Sequence, residues 1–227
     1  KQRPQDSSTN WAQGGIAGIL DKTDGEAMQS HINDTLLSGG GICDEVIVRC
    51  VVEEAGDRIR DLLAVGVDFE KEGEGFHLVK EGGHSERRIL HAKDATGAEI
   101  ERALNMAVSQ SRNITMSSHT LGVDLIQRVH GVPEKGVKGI WCLCLDSGEM
   151  KAIPADAILI ATGGCGHLWE RTTNPSVSTG DGLAMAVRAG ASNKNMAFFQ
   201  VHPTALMSGN KTPFLITEAL RGEGGVL

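Results

Sequence analysis

The sequence predicts an α/β fold, and three patterns support this prediction. Segments with helical and strand-like periodicity alternate along most of the 227 residues. One apolar segment, residues 157–161, runs directly into the glycine pair Gly163 and Gly164, as strands that end at the edge of a sheet commonly do. The 29 glycines fall in clusters rather than in a linker, which suits backbone that lies close to another group.

Four segments carry apolar residues at helical spacing. They are residues 24–37, 44–65, 96–108 and 179–189. Asp44 is expected to cap the second helix and Gly66 to end it, with a break near Gly56. Thr96 is expected to cap the third helix. Gly190 is expected to end the fourth.

The segments between these helices predict strands. They are residues 114–118, 122–129, 137–145, 150–153 and 157–161. Asp146, Ser147 and Gly148 predict the turn of a hairpin. The strands before 157–161 therefore form a meander inserted into the alternating pattern.

Composition excludes several functions. The net charge is −7, so no basic surface for nucleic acid is expected. No apolar run approaches the length of a membrane span. The five scattered cysteines indicate a reducing compartment. We expect no metal site: Cys142 and Cys144 are interpreted as ordinary strand residues, and the isolated histidines, His77 among them, have no partner at ligand spacing.

Three glycine-containing segments are candidate binding elements. Residues 156–164 combine an apolar strand with a glycine turn, and their alternative is a plain strand-to-loop turn. Gln13 with Gly14 and Gly15 suits packing against a flat ring, although an ordinary turn has the same composition. Asp181, at a turn that opens a helix, would accept a ribose hydroxyl or cap that helix.

These segments also carry a resemblance. Six motifs are similar, in the same order, to those of the succinate dehydrogenase, fumarate reductase and L-aspartate oxidase flavoproteins. They are STNWAQGGIA (8–17), DAILIATGG (156–164), TTNP (172–175), TGDG (179–182), HPT (202–204) and TEALRGEGG (217–225). Residues 81–97, EGGHSERRILHAKDATG, resemble the L-aspartate oxidase branch in particular.

The resemblance implies an α/β, partial Rossmann-like FAD-binding domain with an inserted β-meander and helices (residues 1–196), followed by the beginning of a capping domain (residues 197–227). It implies FAD contacts for Lys1, Ser8, Thr9, Asn10, Trp11, Ala12, Gln13, Gly14, Gly15, Ala161, Thr162, Gly163, Gly164 and Asp181. It implies substrate or proton-transfer roles for Glu81, Gln200, His202, Thr217, Glu218 and Arg221.

The residue types suit a dicarboxylate that also carries an amine. His202 and Thr217 are donors for a carboxylate, and Glu81 is an acceptor for an α-amino group, which fumarate and succinate lack. Without the resemblance, Glu81 would be interpreted as a solvated charge beside Lys80. His84, Arg87, Arg88 and His91 lie in the same diagnostic stretch and are candidates to line the site.

The chain departs from the family pattern in three ways. It has no GxGxxG, so the first pyrophosphate-binding turn is missing. It begins at Lys1 and ends at Leu227 before the catalytic arginine of the family, so we expect an internal piece that is inactive by itself. Ser8 stands where succinate dehydrogenases have the flavin-tethering histidine, so FAD is expected to bind non-covalently.

The resemblance implies oxidation of L-aspartate to iminoaspartate, with oxygen or fumarate as electron acceptor, in the quinolinate route to NAD. Quinolinate synthase is a candidate partner, and the cytoplasm, or the plastid of a plant, is the expected compartment. Two alternatives remain open: a soluble fumarate reductase or succinate dehydrogenase-type flavoprotein, and a non-catalytic remnant of the fold.

Overall fold

The computed structural model describes residues 3–202, 204–206, 213–216 and 224–225. The chain divides into two compact units. The first unit comprises the described residues of Thr9–Ile114 and Ile216–Leu227, and the second those of Lys1–Ser8 and Thr115–Leu215. Within the described residues, no helix is long and apolar enough to cross a membrane.

The first unit contains three helices and two small sheets. In chain order its elements are β1 (Ile16–Ala17), α1 (Gly25–Ser38), α2 (Glu45–Ala64), β2 (Lys71–Glu72), β3 (Gly75–Phe76), β4 (Leu78–Val79), β5 (Ile89–Leu90) and α3 (Thr96–Gln110). Strands β1, β5 and β4 form one antiparallel sheet, with β5 in the middle, and β2 pairs with β3.

Helix α2 forms largely as the sequence predicts, with one exception. Asp44 caps it by accepting hydrogen bonds from the backbone N–H groups of Val46 and Ile47, and Gly66, with a φ of +93°, follows its end. The predicted break near Gly56 is wrong. A Cβ at Gly56 would lie 2.5 Å from the carbonyl oxygen of Ile19, so this glycine lets another segment approach a continuous helix.

The predicted cap of α3 is also wrong. Ala95 occupies the N-cap position and makes no side-chain capping bond. Thr96 is the first helical residue, and its hydroxyl accepts a hydrogen bond from the backbone N–H of Ala92. The threonine therefore ties the helix to the segment before it instead of satisfying the helix's own N–H groups.

The core of the first unit lies between α2, α3 and the β1–β5–β4 sheet. Its buried residues are Ile59, Val67, Phe69, Leu90 and Ala103. The predicted apolar stripe on α2 is buried only toward its C-terminal end, because Ile47 and Val51 are exposed.

The second unit is built on a three-stranded antiparallel meander. Its elements are β6 (Thr120–Gln127), β7 (Val137–Cys144), β8 (Met150–Pro154), α4 (Asp181–Arg188), β9 (Ala205–Leu206) and β10 (Phe214–Leu215). Strand β7 lies between β6 and β8, and β9 pairs with β10. Helix α4 packs on β6, where the guanidinium of Arg188 donates to the carbonyl of Val123.

Two predicted strands do not form. Residues 114–118 are irregular, and residues 157–161 have no strand partner among the described residues. A strand exists only where a neighbour completes its hydrogen bonds. Consistent with that, Leu159 is 91% exposed. The meander and its turn at Asp146–Gly148 are confirmed.

Candidate functional site

In the first unit, the glycine pair of the AQGG segment lies against the carboxylate of Glu81. The backbone N–H of Gly15 donates to Glu81 Oε1 at 3.1 Å. A Cβ at Gly15 would lie 2.2 Å from the carbonyl oxygen of Leu90, so only glycine fits there. The pairing of β1 with β5 brings the two segments together, since Ile16 lies opposite Leu90.

The start of α3 packs directly on the same loop. A Cβ at Gly97 would lie 1.7 Å from the carbonyl oxygen of Thr9, and the Gly97 N–H donates to the carbonyl of Ala12 at 3.0 Å. Residues 9–12 thus rest on the first turn of a helix, where N–H groups point outward and the helix dipole favours negative charge.

Gln13 supplies a polar atom that the described residues do not satisfy. Its Oε1 is buried and has no hydrogen-bond partner among them. Buried acceptors are normally paired, so this oxygen next to Gly14 and Gly15 is available to a group that donates a hydrogen bond.

The loop that carries Glu81 is fixed to α1 by a buried arginine. Arg88 is 1% exposed, and its guanidinium donates to Asp34 Oδ2 at 2.7 Å and to Ser30 Oγ at 3.0 Å. Asp34 also accepts from the N–H and the hydroxyl of Ser85. Arg88 therefore positions the loop. Its contacts with Asp34 and Ser30 account for its burial without a role in lining the site.

This network shifts the pKa values of three groups. The N–H of Ser85, together with the Arg88 guanidinium, lowers the pKa of Asp34 to about 2. Burial, and then the positive charge of Arg88, lowers the pKa of His31 and of His84. The two imidazoles lie with ring centroids 5.5 Å apart and are held neutral near pH 7.

In the second unit, the ATGG turn packs against the start of α4. A Cβ at Gly182 would lie 2.0 Å from Thr162 Oγ1, and the N–H of Gly180 donates to the carbonyl of Gly164. Gly163 has a φ of +78°, a conformation that glycine adopts without strain. The turn at Ala161–Gly164 and the TGDG turn are thus one packed element.

Ser8 and Asp181 lie at the same element. Ser8 Oγ is 3.2 Å from the hydroxyl of Ser178, which is buried. The carboxylate of Asp181 accepts from the Thr179 hydroxyl at 2.8 Å and makes no capping bond to α4. Asp181 is exposed, so its remaining acceptor positions face solvent or a ligand.

Gln200 and His202 line a cavity of about 150 Å³ in the second unit. Its other walls include Arg171, Phe199 and the Thr172–Asn174 segment. The residues that line this small space thus carry a guanidinium, amides and hydroxyls, which are donor groups of the kind that an anionic ligand requires.

The imidazole of His202 has a defined orientation. Its Nδ1 accepts a hydrogen bond from the backbone N–H of Thr204 at 3.2 Å. A neutral imidazole whose Nδ1 accepts must carry its proton on Nε2. The Thr204 contact therefore favours the tautomer of His202 that carries its proton on Nε2, and an Nε2–H group can donate to a carboxylate.

The remaining predicted residues have these positions. Thr9, Asn10, Trp11 and Ala12 form the turn packed on α3, in the first unit with Gln13, Gly14, Gly15 and Glu81. Ser8, Ala161–Gly164, Asp181, Gln200 and His202 belong to the second unit. Lys1, Thr217, Glu218 and Arg221 lie outside the described residues.

The sequence named Gly97 and Gly182 only as parts of the 81–97 stretch and the TGDG motif, and the structure shows which backbone or side chain packs on each. One further residue, Arg171, was not singled out by the sequence. Arg171 lines the cavity beside the TTNP motif. Its position directly before that motif in the sequence could have identified it as a candidate. The expectation that His77 has no ligand partner is wrong, since Glu70 and His91 lie beside it.

Known proteins are similar to the whole chain. The sequence model of the FAD binding domain family matches residues 1–227. Chloroplastic L-aspartate oxidase of Arabidopsis thaliana is 44% identical over all of this chain and 36% of its own length. L-aspartate oxidase of Pseudomonas aeruginosa is 45% identical over 97% of this chain and 42% of its own length. The chain thus spans about two fifths of these relatives.

Solved structures give the same result for the fold. E. coli quinol fumarate reductase FrdA matches 96% of this chain and 36% of its own, with a TM-score of 0.86 and 28% identity. The Mycobacterium smegmatis Sdh1 complex in the apo form matches 100% of this chain and 40% of its own, with a TM-score of 0.82 and 29% identity.

Proposed function

The chain belongs to the FAD binding domain family, and we propose that it is part of an FAD-dependent L-aspartate oxidase that converts L-aspartate to iminoaspartate. The fold class expected from the sequence, a partial FAD-binding domain of the fumarate reductase type, is confirmed by the family match and the solved structures. Relatives named L-aspartate oxidase at 42–45% identity support the choice of substrate.

The contact between Glu81 and Gly15 is the observation that best supports this function. One carboxylate oxygen of Glu81 is held by the backbone N–H of Gly15, which leaves the other oxygen to accept from the α-ammonium group of L-aspartate. A fumarate reductase has no amine to recognise, so a carboxylate at this place favours an amino dicarboxylate.

The residues present fit FAD. In the first unit, the close glycine contacts at Gly15 and Gly97 and the buried Gln13 Oε1 provide flat backbone surfaces and an acceptor. In the second unit, the ATGG turn provides a second glycine-rich backbone surface. FAD would supply the acceptor of the hydride from the α-carbon of L-aspartate. With Ser8 in place of a tethering histidine, we propose that FAD is held non-covalently.

The residues of the chain would bind and orient the substrate. His202 would donate its Nε2–H to one carboxylate, with Gln200 and Thr217 as further contacts at the same end. Glu218 and Arg221 would pass a proton, as the resemblance implies. Contacts to one carboxylate would restrict the orientation of the substrate, and such positioning accelerates this kind of chemistry.

Further assignments rest on the resemblance. We assign residues 1–196 to the FAD-binding domain and residues 197–227 to the start of a capping domain. The product would enter NAD biosynthesis through quinolinate, with quinolinate synthase as a candidate partner and oxygen or fumarate as electron acceptor. We propose the cytoplasm as its compartment, or the plastid in a plant, as with the relatives named chloroplastic.

The test uses the full-length protein that contains this chain, purified with FAD. Under anaerobic conditions L-aspartate should bleach the flavin absorbance, and succinate should not. Readmission of oxygen should restore the absorbance and release peroxide. Bleaching by succinate alone would favour the succinate dehydrogenase-type alternative, and bleaching by neither compound would favour the non-catalytic remnant.

A further inference from the structure

Three metal-ligating side chains meet on the surface of the first unit, and the proposed function uses none of them as a ligand, although His91 lies in the diagnostic stretch 81–97. They are Glu70, His77 and His91, which we call the Glu70–His77–His91 cluster. One donor atom from each residue lies within 4.8 Å of the donor atoms of the other two. Two imidazoles and a carboxylate are a common ligand set for divalent transition metals.

Backbone hydrogen bonds hold the three residues in place. The N–H of Glu70 donates to the carbonyl of His91 at 2.9 Å, and the N–H of His77 donates to the carbonyl of Glu70 at 3.0 Å. Glu70 therefore lies between the two histidines in the backbone network. The cluster stands on rigid structure, because Phe69 and Leu90, the neighbours of Glu70 and His91 in sequence, belong to the buried core.

The side chains already contact one another. His77 Nδ1 lies 3.0 Å from His91 Nε2, and Glu70 Oε2 lies 3.3 Å from His91 Nδ1 and 3.9 Å from His77 Nδ1. A tetrahedral ion with bonds of about 2.0 Å separates its ligands by roughly 3.3 Å. His91 faces His77 with Nε2 and Glu70 with Nδ1, so binding an ion requires side-chain rotation that directs a single nitrogen of His91 toward it. The limit of 4.8 Å between one donor atom of each residue keeps this movement small.

We propose that the Glu70–His77–His91 cluster binds one divalent transition-metal ion with the ligand preference of Zn²⁺. Neutral imidazole nitrogens and a carboxylate oxygen match the borderline-soft character of this ion, whereas Mg²⁺ and Ca²⁺ prefer oxygen ligands alone. The net charge of the cluster with neutral histidines is −1, so a bound Zn²⁺ is partly neutralised.

Exposure decides what kind of site this is. The side chains of His77, Glu70 and His91 are 41%, 37% and 13% exposed. The ion would therefore have protein ligands on one side and solvent on the other, with at least one coordination position for water or another ligand. Glu70 also lines an open cavity of about 450 Å³, whose other charged residues are Asp68, Lys93 and the ion pair of Glu99 with Arg102.

The test measures Zn²⁺ binding to the full-length protein after treatment with a chelator and removal of the chelator. Isothermal titration with ZnCl₂ should give one site, and Zn²⁺ should raise the melting temperature because it binds the folded state. Glu70→Gln, His77→Gln and His91→Gln should each weaken binding by at least about tenfold, the effect that loss of even an outer ligand partner has at metal sites.

Two controls make the result specific. His77→Gln changes a half-exposed side chain, so its effect on Zn²⁺ cannot be attributed to unfolding if its circular dichroism spectrum matches the wild type. His119→Gln removes a histidine that contacts a carboxylate, Asp146 at 2.6 Å, but belongs to no three-ligand group among the described residues. This variant should bind Zn²⁺ normally. Absence of Zn²⁺ binding, or binding that survives all three cluster substitutions, would overturn the proposal.

Discussion

Glu81 Oε1 accepts a hydrogen bond from the backbone N–H of Gly15, a contact between residues 66 positions apart. The side chain also packs over the glycine pair, since a Cβ at Gly14 would lie 3.4 Å from both carboxylate oxygens. The loop proposed to contact the flavin and the residue proposed to bind the substrate amine are therefore one structural unit. A substitution that removes the acceptor for the Gly15 N–H is therefore expected to affect both.

Glu81→Gln separates the two functions of this side chain. The amide oxygen still accepts from the Gly15 N–H, so FAD binding should stay close to the wild type. The charge that would bind the α-ammonium group is lost, and hydrogen bonds to charged groups contribute roughly 1.5–3 kcal/mol. We expect kcat/KM for L-aspartate to fall by about 10- to 100-fold, measured as peroxide release.

Fumarate reduction by the same variant provides the comparison. Fumarate has no amine, so its rate of reduction should fall much less. Glu74→Gln, a carboxylate change on the exposed β2–β3 turn, is the matched control and should leave both activities unchanged. An equal loss of both activities in Glu81→Gln would remove the reason for preferring L-aspartate as substrate.

A pair of substitutions at His202 tests its proposed donor role. Asparagine can retain an acceptor near the position of Nδ1, which receives the Thr204 N–H, but it has no donor near Nε2. Glutamine reaches the Nε2 position and keeps a donor there. We expect His202→Asn to raise KM for L-aspartate by about tenfold or more and His202→Gln to raise it less. The reverse order would contradict an Nε2–H donor.

Gly97→Ala should weaken FAD binding. Its Cβ would lie 1.7 Å from the carbonyl oxygen of Thr9, so the loop at residues 9–13 must move away from α3. Flavin fluorescence quenching on titration with FAD measures the effect, which should be at least about tenfold in Kd. Gly25→Ala is the control: a Cβ there meets nothing within 4 Å, and alanine favours the helix it begins. Equal FAD affinity in both variants would contradict this account of the loop.

The lowered pKa of Asp34 predicts how the free energy of unfolding depends on pH. Its folded-state pKa, about 2, is below the ordinary value, so its contribution is complete above about pH 4 and is lost as pH falls toward 2. The expected loss in the free energy of unfolding is on the order of 1–2 kcal/mol after solvent screening. Urea unfolding of the full-length protein between pH 6 and pH 2 measures it. Asp34→Asn should flatten this part of the profile, and Asp156→Asn, at an exposed position, should not.

The sequence predicted those elements whose pattern is local. The apolar spacing and the cap at Asp44 placed α2 within one residue of its observed start, and Asp146–Gly148 placed the hairpin turn. Residues 157–161 have an equally clear apolar pattern, yet a strand needs a partner, and none lies among the described residues. The periodicity of apolar residues shows which face of a segment is apolar, but it does not show which other segment packs against that face.

The candidate site was predictable only through its motifs. The family match supports the resemblance that those motifs carried, including the glycine pair and the ATGG turn. The contacts that hold these motifs came from residues distant in sequence, such as Gly97 on Thr9 and Arg88 on Asp34. The Glu70–His77–His91 cluster could not be predicted from the sequence. Backbone hydrogen bonds between residues 70, 77 and 91 bring its members together, and their separation in sequence matches no common metal-binding motif.

Leu159 provides a last prediction, on the behaviour of the 227-residue chain expressed alone. Its side chain is 91% exposed within an apolar segment that has no strand partner in the part of the chain that the structure describes, and such segments are templates for pairing with other chains. We expect this chain to aggregate and Leu159→Ser to increase the soluble fraction, measured by light scattering and size-exclusion chromatography. Leu37→Ser is the matched control, because Leu37 is 84% exposed but lies on α1, where the backbone hydrogen bonds are satisfied within the helix. An equal gain in solubility from both substitutions would show that exposed apolar area alone, and not an unpaired strand, drives the association.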